Sequence, residues 1–214
     1  MTTSTENLID DLAGGLKAVP AGSLERRLML AVMAGGLFVF ALVVGLTGLR
    51  PDLIAAIATS SFWVKLVYTG TIALIALAGA RHLARPEVSG IKLAYFAVPV
   101  GVLILMAIVE MSSAPTDQRS ALIFGNSWRE CPVLIAALSL PLLAIFLRLF
   151  AGFAPQRPRL TGGVIGLAAG ATTAMLYSLH CPESAMTFLL LWYSAGIAII
   201  AVIGAIVGPR ILRW

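Results

Sequence analysis

Cys131 and Cys181 are the only two thiols in the chain, and each is followed directly by proline, in Arg129-Glu130-Cys131-Pro132 and in His180-Cys181-Pro182-Glu183. Two such thiols can do three kinds of chemistry. A structural disulfide can pin two elements together, as suits the oxidising outer face of a bacterial inner membrane. A switchable pair can cycle between dithiol and disulfide. A soft metal ion can take sulfur and imidazole ligands, so Cys131, Cys181 and His180 form a candidate metal set that Glu130 or Glu183 would complete. The separation of 50 residues between the cysteines matches no standard zinc spacing. His180 stands directly before Cys181, where a protonated imidazole would favour the thiolate. The prolines also have plain roles, Pro132 in the first turn of a helix and Pro182 in a tight turn. Beyond such a metal ion, no cofactor is implied.

The elements that must hold these residues are membrane spans. The chain has 214 residues, 59% hydrophobic and 12% charged, with a mean hydropathy of +0.96. A soluble domain is about 45–50% apolar and about 25% charged, so neither a soluble enzyme nor a disordered chain fits. Six stretches reach the roughly 20 apolar residues that a spanning helix needs: Leu28–Leu49, Phe62–Ala80, Ile91–Val109, the run after Cys131-Pro132 as far as Leu147 or Phe150, Leu160–Leu179, and Met186–Val207. None alternates apolar and polar residues as a barrel strand does. The first run is too long for a signal-peptide core and no small-residue cleavage site follows it, so it reads as a retained span. The expected fold is therefore all-α, with a tail (residues 1–27) and a six-helix transmembrane domain (residues 28–214).

Lys and Arg report the orientation. Eleven lie in the tail, the second-to-third and fourth-to-fifth connections, and the C-terminus; four (Arg50, Lys65, Arg119 and Arg129) lie on the other side. The positive-inside rule places both termini in the cytoplasm of a multi-pass inner-membrane protein, and both cysteines outside. The net charge of +5 then needs no nucleic acid to explain it. Lys65, just inside the second span, is expected to snorkel to the outer interface. Phe62, Trp63, Tyr68 and Trp128 read as interfacial anchors, Trp192 and Tyr193 as packing between helices. Glu110 is expected to be solvated rather than paired with Arg119 or Arg129. Gly162, Gly166 and Gly170 line one face of the fifth span for close helix approach, within the bundle or at a homo-oligomer face.

In the tail, Leu8, Ile9, Leu12, Leu16 and Val19 fall on one helical face. Asn7 is placed to cap this short amphipathic helix, Asp10 and Asp11 suit its first turn, and Pro20 ends it. A helix this short is marginal alone in water. A cytosolic protein that takes the helix into a groove would cover the apolar face. The membrane surface suits it less, because Asp10 and Asp11 repel anionic lipid.

Together these pieces resemble the negative regulator of sigma-F family, integral-membrane anti-sigma factors of Gram-negative bacteria. The resemblance lies in Leu8-Ile9-Asp10-Asp11-Leu12 with Pro20, Phe62-Trp63-Val64-Lys65-Leu66, Trp128-Arg129-Glu130-Cys131-Pro132, Leu138-Ser139-Leu140-Pro141, Leu179-His180-Cys181-Pro182-Glu183 and Gly208-Pro209-Arg210. It implies a six-span protein that holds an extracytoplasmic-function sigma factor inactive and needs its two outer cysteines to respond to heavy metals or oxidants. The sensing residues would be Cys131, Cys181, His180, Glu130 and Glu183, and the sigma-binding residues those of the tail face. A small six-span transporter or channel is the alternative, although the mid-span regions are almost free of the ionisable residues that transport usually uses. A thiol oxidoreductase would usually carry Cys-x-x-Cys, which is missing here. No arrangement suggests catalysis.

Overall fold

Six helices long and apolar enough to cross a membrane dominate the structure, a computed structural model: Glu25–Thr47, Ser60–Leu83, Ala94–Ser113, Glu130–Ala151, Pro158–Tyr177 and Met186–Ile211. The structure describes residues 23–84, 94–153 and 155–213, together with Thr5, Asn7, Ile9 and Gly14. There is no strand among the described residues. The spans match the hydropathy reading to within a few residues. The fourth starts one residue before Cys131, so that Pro132 lies in its first turn, where the missing N–H costs nothing. Pro99, Pro141 and Pro209 lie inside helices, as membrane helices tolerate.

The fifth span is the axle of the bundle. It packs most extensively on the sixth, then on the second and fourth, and 67% of its most apolar window is buried, against 11% for the third span. Small residues make this possible. A Cβ added at Gly162 or Gly166 would run into the backbone of the sixth span, at Gly204 and at Ile200 and Ala201 respectively. The approach is mutual, since a Cβ at Gly208 would meet Pro158 O at 2.7 Å. The glycine stripe is thus used inside one chain, where lipid gives no hydrophobic drive and close van der Waals contact must hold the helices. Phe146, Phe150, Tyr177 and Tyr193 fill the remaining core.

Two short helices, Leu53–Ile57 and Arg119–Phe124, lie in the connections at the end of the bundle that carries the cysteines. At the same end the first and sixth spans each contain a wider, π-type turn, Val43–Thr47 and Leu189–Tyr193. Such turns often mark functional positions. In the tail, Thr5, Asn7, Ile9 and Gly14 are all helical. Thr5 already lies within helix, so Asn7 is not its cap, contrary to the sequence expectation. Leu8, Leu12, Leu16, Val19 and Pro20 lie outside the described residues.

Candidate sensor site

The fold brings the two cysteines together. Cys131 Sγ lies 3.5 Å from Cys181 Sγ; both are free thiols and both are buried. Each is fixed by its own backbone, Cys131 N–H on Ser127 O at 2.9 Å and Cys181 N–H on Tyr177 O at 3.0 Å. Cys131 belongs to a helix, Cys181 to the turn between the fifth and sixth spans. Ser127 Oγ and Tyr177 Oη each lie 3.8 Å from Cys131 Sγ.

Two cations converge beside this pair. Lys65 Nζ donates to Cys181 O at 3.2 Å and Arg50 Nη1 to the same oxygen at 3.4 Å. Lys65 is 2% exposed and stands 5.7 Å from the centre of the Tyr193 ring. The expected snorkelling is therefore wrong: Lys65 turns inward, because a carbonyl and an aromatic face replace the water it gives up. An ionisable residue inside a span is itself a functional signal, and that signal was available in the sequence. In the turn, the contact with Cys131 and, against the cost of burial, the Lys65 charge pull the Cys181 thiol below its ordinary value.

The other predicted site residues serve the frame around the thiols. His180 Nδ1 lies 3.0 Å from Gly48 O, and its ring stands against Tyr177 with centroids 5.3 Å apart. Glu183 accepts from Asn126 N–H at 2.7 Å and Ser127 Oγ at 3.3 Å, which ties the turn of Cys181 to the loop before Cys131. Gly125 in that loop has φ +51, and a Cβ there would strike the Glu183 carboxylate. Glu130 is exposed on the first turn of the fourth span, where its charge complements the helix N-terminus. Among the described residues no three His, Cys, Asp or Glu side chains gather into a metal-holding group. The pair of thiols remains, and two sulfurs alone suit a soft ion.

Glu110 is not solvated as expected. Its carboxylate accepts from Met186 N–H at 2.9 Å, Thr187 N–H at 2.8 Å and Thr187 Oγ1 at 2.7 Å. It caps the N-terminus of the sixth span from another helix, satisfying amides that have no partner within their own helix. Glu110→Ala is expected to destabilise the bundle by about 1–2 kcal/mol, the usual worth of a cap, read as a lower thermal midpoint in detergent. Glu110→Gln should recover part of it, since the amide oxygen still accepts. Among the aromatics, Trp192 and Tyr193 do pack between elements: Trp192 stacks near Trp128 with centroids 5.1 Å apart, and Tyr193 is fully buried. Phe62 and Tyr68 are buried instead of anchoring at the interface, Tyr68 through a 2.8 Å hydrogen bond to Ser194. Trp63 stays exposed.

This thiol site sits in a chain whose residues 12–214 match the family model "Negative regulator of sigma F". The chain belongs to the negative regulator of sigma F family. The Anti-sigma-F factor NrsF of Caulobacter vibrioides is 40% identical over 212 residues, covering 98% of this chain and 99% of that protein. The Probable anti-sigma-F factor NrsF of Azospira oryzae is 39% identical over 214 residues, covering 98% and 99%. No solved structure matches the chain. The family is one of anti-sigma factors, regulators and not enzymes, so the buried thiols need no catalytic account.

Proposed function

We propose that this membrane protein holds an extracytoplasmic-function sigma factor at the cytoplasmic face through its N-terminal helix and lets it go when its thiol pair reacts. The tail residues Leu8, Ile9, Leu12, Leu16 and Val19 form the docking face. Cys131 and Cys181 receive the signal from the periplasmic side, with His180 and Glu183 shaping the turn and Glu130 at its rim. Both termini are cytoplasmic in an inner-membrane protein, a reading supported by the asymmetry of Lys and Arg.

The observation that carries the reading is the buried 3.5 Å contact between two free thiols. That spacing suits two reagents. A two-electron oxidant converts both thiols to a disulfide; the thiols lose two protons and two electrons, and the oxidant is reduced by both. A soft heavy-metal ion displaces the same two protons and binds both sulfurs. Either stimulus works only if it favours one bundle packing over the other.

Cys131→Ser/Cys181→Ser is expected to hold the sigma factor as the wild type does and to abolish induction by diamide or cadmium. Sigma-dependent transcription in cells reads the outcome. Induction equal to wild type in the double variant would end the sensor assignment.

A further inference from the structure

The thiols lie at one end of the first span and the tail at the other. A helix of 23 residues from Glu25 to Thr47 is about 35 Å long, so the state of the thiols must be carried over that distance. The first span is lightly held along its length, with 22% of its most apolar window buried. At its thiol end it is gripped. Gly48 O meets His180 Nδ1 at 3.0 Å, and Arg50 N–H donates to Leu179 O at 3.1 Å. The Arg50 guanidinium reaches Cys181 O at 3.4 Å and is itself braced by a two-pronged contact to Asp52 at 2.6 and 2.7 Å. All three acceptors and donors on the far side of this grip, Leu179, His180 and Cys181, belong to the one turn that carries a thiol of the pair. The π-type turn Val43–Thr47 comes immediately before the gripped residues, and Gly48 follows with φ +78. A wide turn is a place where helical register can change.

We propose that Arg50 and His180 are positioning residues that couple the thiol pair to the first span, and through it to the tail. The inference rests on the reading that the thiols receive the signal and the tail binds the sigma factor. Cys131 lies in the first turn of a long helix, whereas Cys181 lies in a short turn, so the turn is the part that yields. A disulfide needs the sulfurs about 2.0 Å apart, against the 3.5 Å of the free pair. With diamide as oxidant, the S–S bond forms, both S–H bonds break, and the N=N bond takes the two protons and two electrons to become a hydrazine. The turn moves toward Cys131, its carbonyls leave Arg50 and His180 leaves Gly48. The first span is then free to shift, and the helix it carries on the other side loses its seat.

Hydrogen exchange on the full chain in lipid nanodiscs, reduced and diamide-treated, tests this without any variant. The Arg50 amide is expected to exchange about tenfold faster or more once the disulfide forms, as an amide does when its acceptor moves away, while amides midway along the first span stay protected. Unchanged exchange at Arg50 in the disulfide form overturns the coupling. In a second arm, Arg50→Gln/His180→Ala is expected to lose most of the co-purified sigma factor while mass spectrometry counts two free thiols. A folded double variant that holds the sigma factor and releases it only with diamide overturns the coupling equally. A wild-type chain that forms the disulfide yet keeps the sigma factor counts against the parent reading, and the Arg50 exchange still decides whether turn and span are linked.

Discussion

Gly166→Leu is expected to prevent the bundle from forming, leaving no monodisperse folded protein after detergent extraction. The reason is geometric. At this position even a Cβ would press on the backbone of Ile200 and Ala201, and backbone inside a helix cannot rotate away as a side chain can. The fifth and sixth spans would have to separate along most of their shared length, since Gly162 faces Gly204 and a Cβ at Gly170 would stand 3.1 Å from Ile197 Cα on the same line. Overpacking a well-filled site costs about 1–3 kcal/mol when side chains can adjust, and here the adjustment is denied, so a loss above about 3 kcal/mol is expected. Gly166→Ala should be milder but clearly destabilising. The contrast is with Gly36 and Gly101, where an added Cβ meets nothing within 4 Å. Alanine there should change the thermal midpoint little or raise it, because alanine is the better helix former. If Gly166→Ala and Gly101→Ala melt alike, the close contact between the fifth and sixth spans is not what holds the bundle.

The spans were legible because lipid forces each helix to announce itself by some twenty apolar residues in a row. The small-residue stripe was legible for a related reason, its four-residue spacing. Which partner it met was not, because spacing gives a face and not a direction. The meeting of Cys131 and Cys181 was only a possibility of topology. Their distance depends on the rotation of the fourth and fifth helices, set by contacts such as Gly162 on Gly204 that no local pattern encodes. The roles of the charged groups were hidden for the same reason. Glu110 caps a helix 76 residues away, and His180 reaches Gly48 across 132. Lys65 carries a signal of its own: a cation inside a span demands compensation, and the fold supplies it through Cys181 O in place of interfacial water.

Leu12→Asp is expected to free the sigma factor without any stress, on the proposed reading of the tail as its docking helix. The apolar positions 8, 9, 12, 16 and 19 form one face, and Ile9 on that face is helical and 58% exposed, so the chain itself does not cover it. Leu12 is the middle of the five. A carboxylate there would be carried into a desolvated groove without a partner, and central interface changes of this kind cost about 2–4 kcal/mol, which is a loss in affinity of about thirtyfold to nearly a thousandfold. Co-purification should fall accordingly, and sigma-dependent transcription should be on in unstressed cells. Gly14→Asp is the matched control. Gly14 is helical, has nothing within 4 Å of an added Cβ and projects opposite Leu12 by helical spacing, so the same charge there should leave binding unchanged. The reverse result, binding kept by Leu12→Asp and lost by Gly14→Asp, would mean that the helix docks by its polar face; binding kept by both would move the docking surface off the tail altogether.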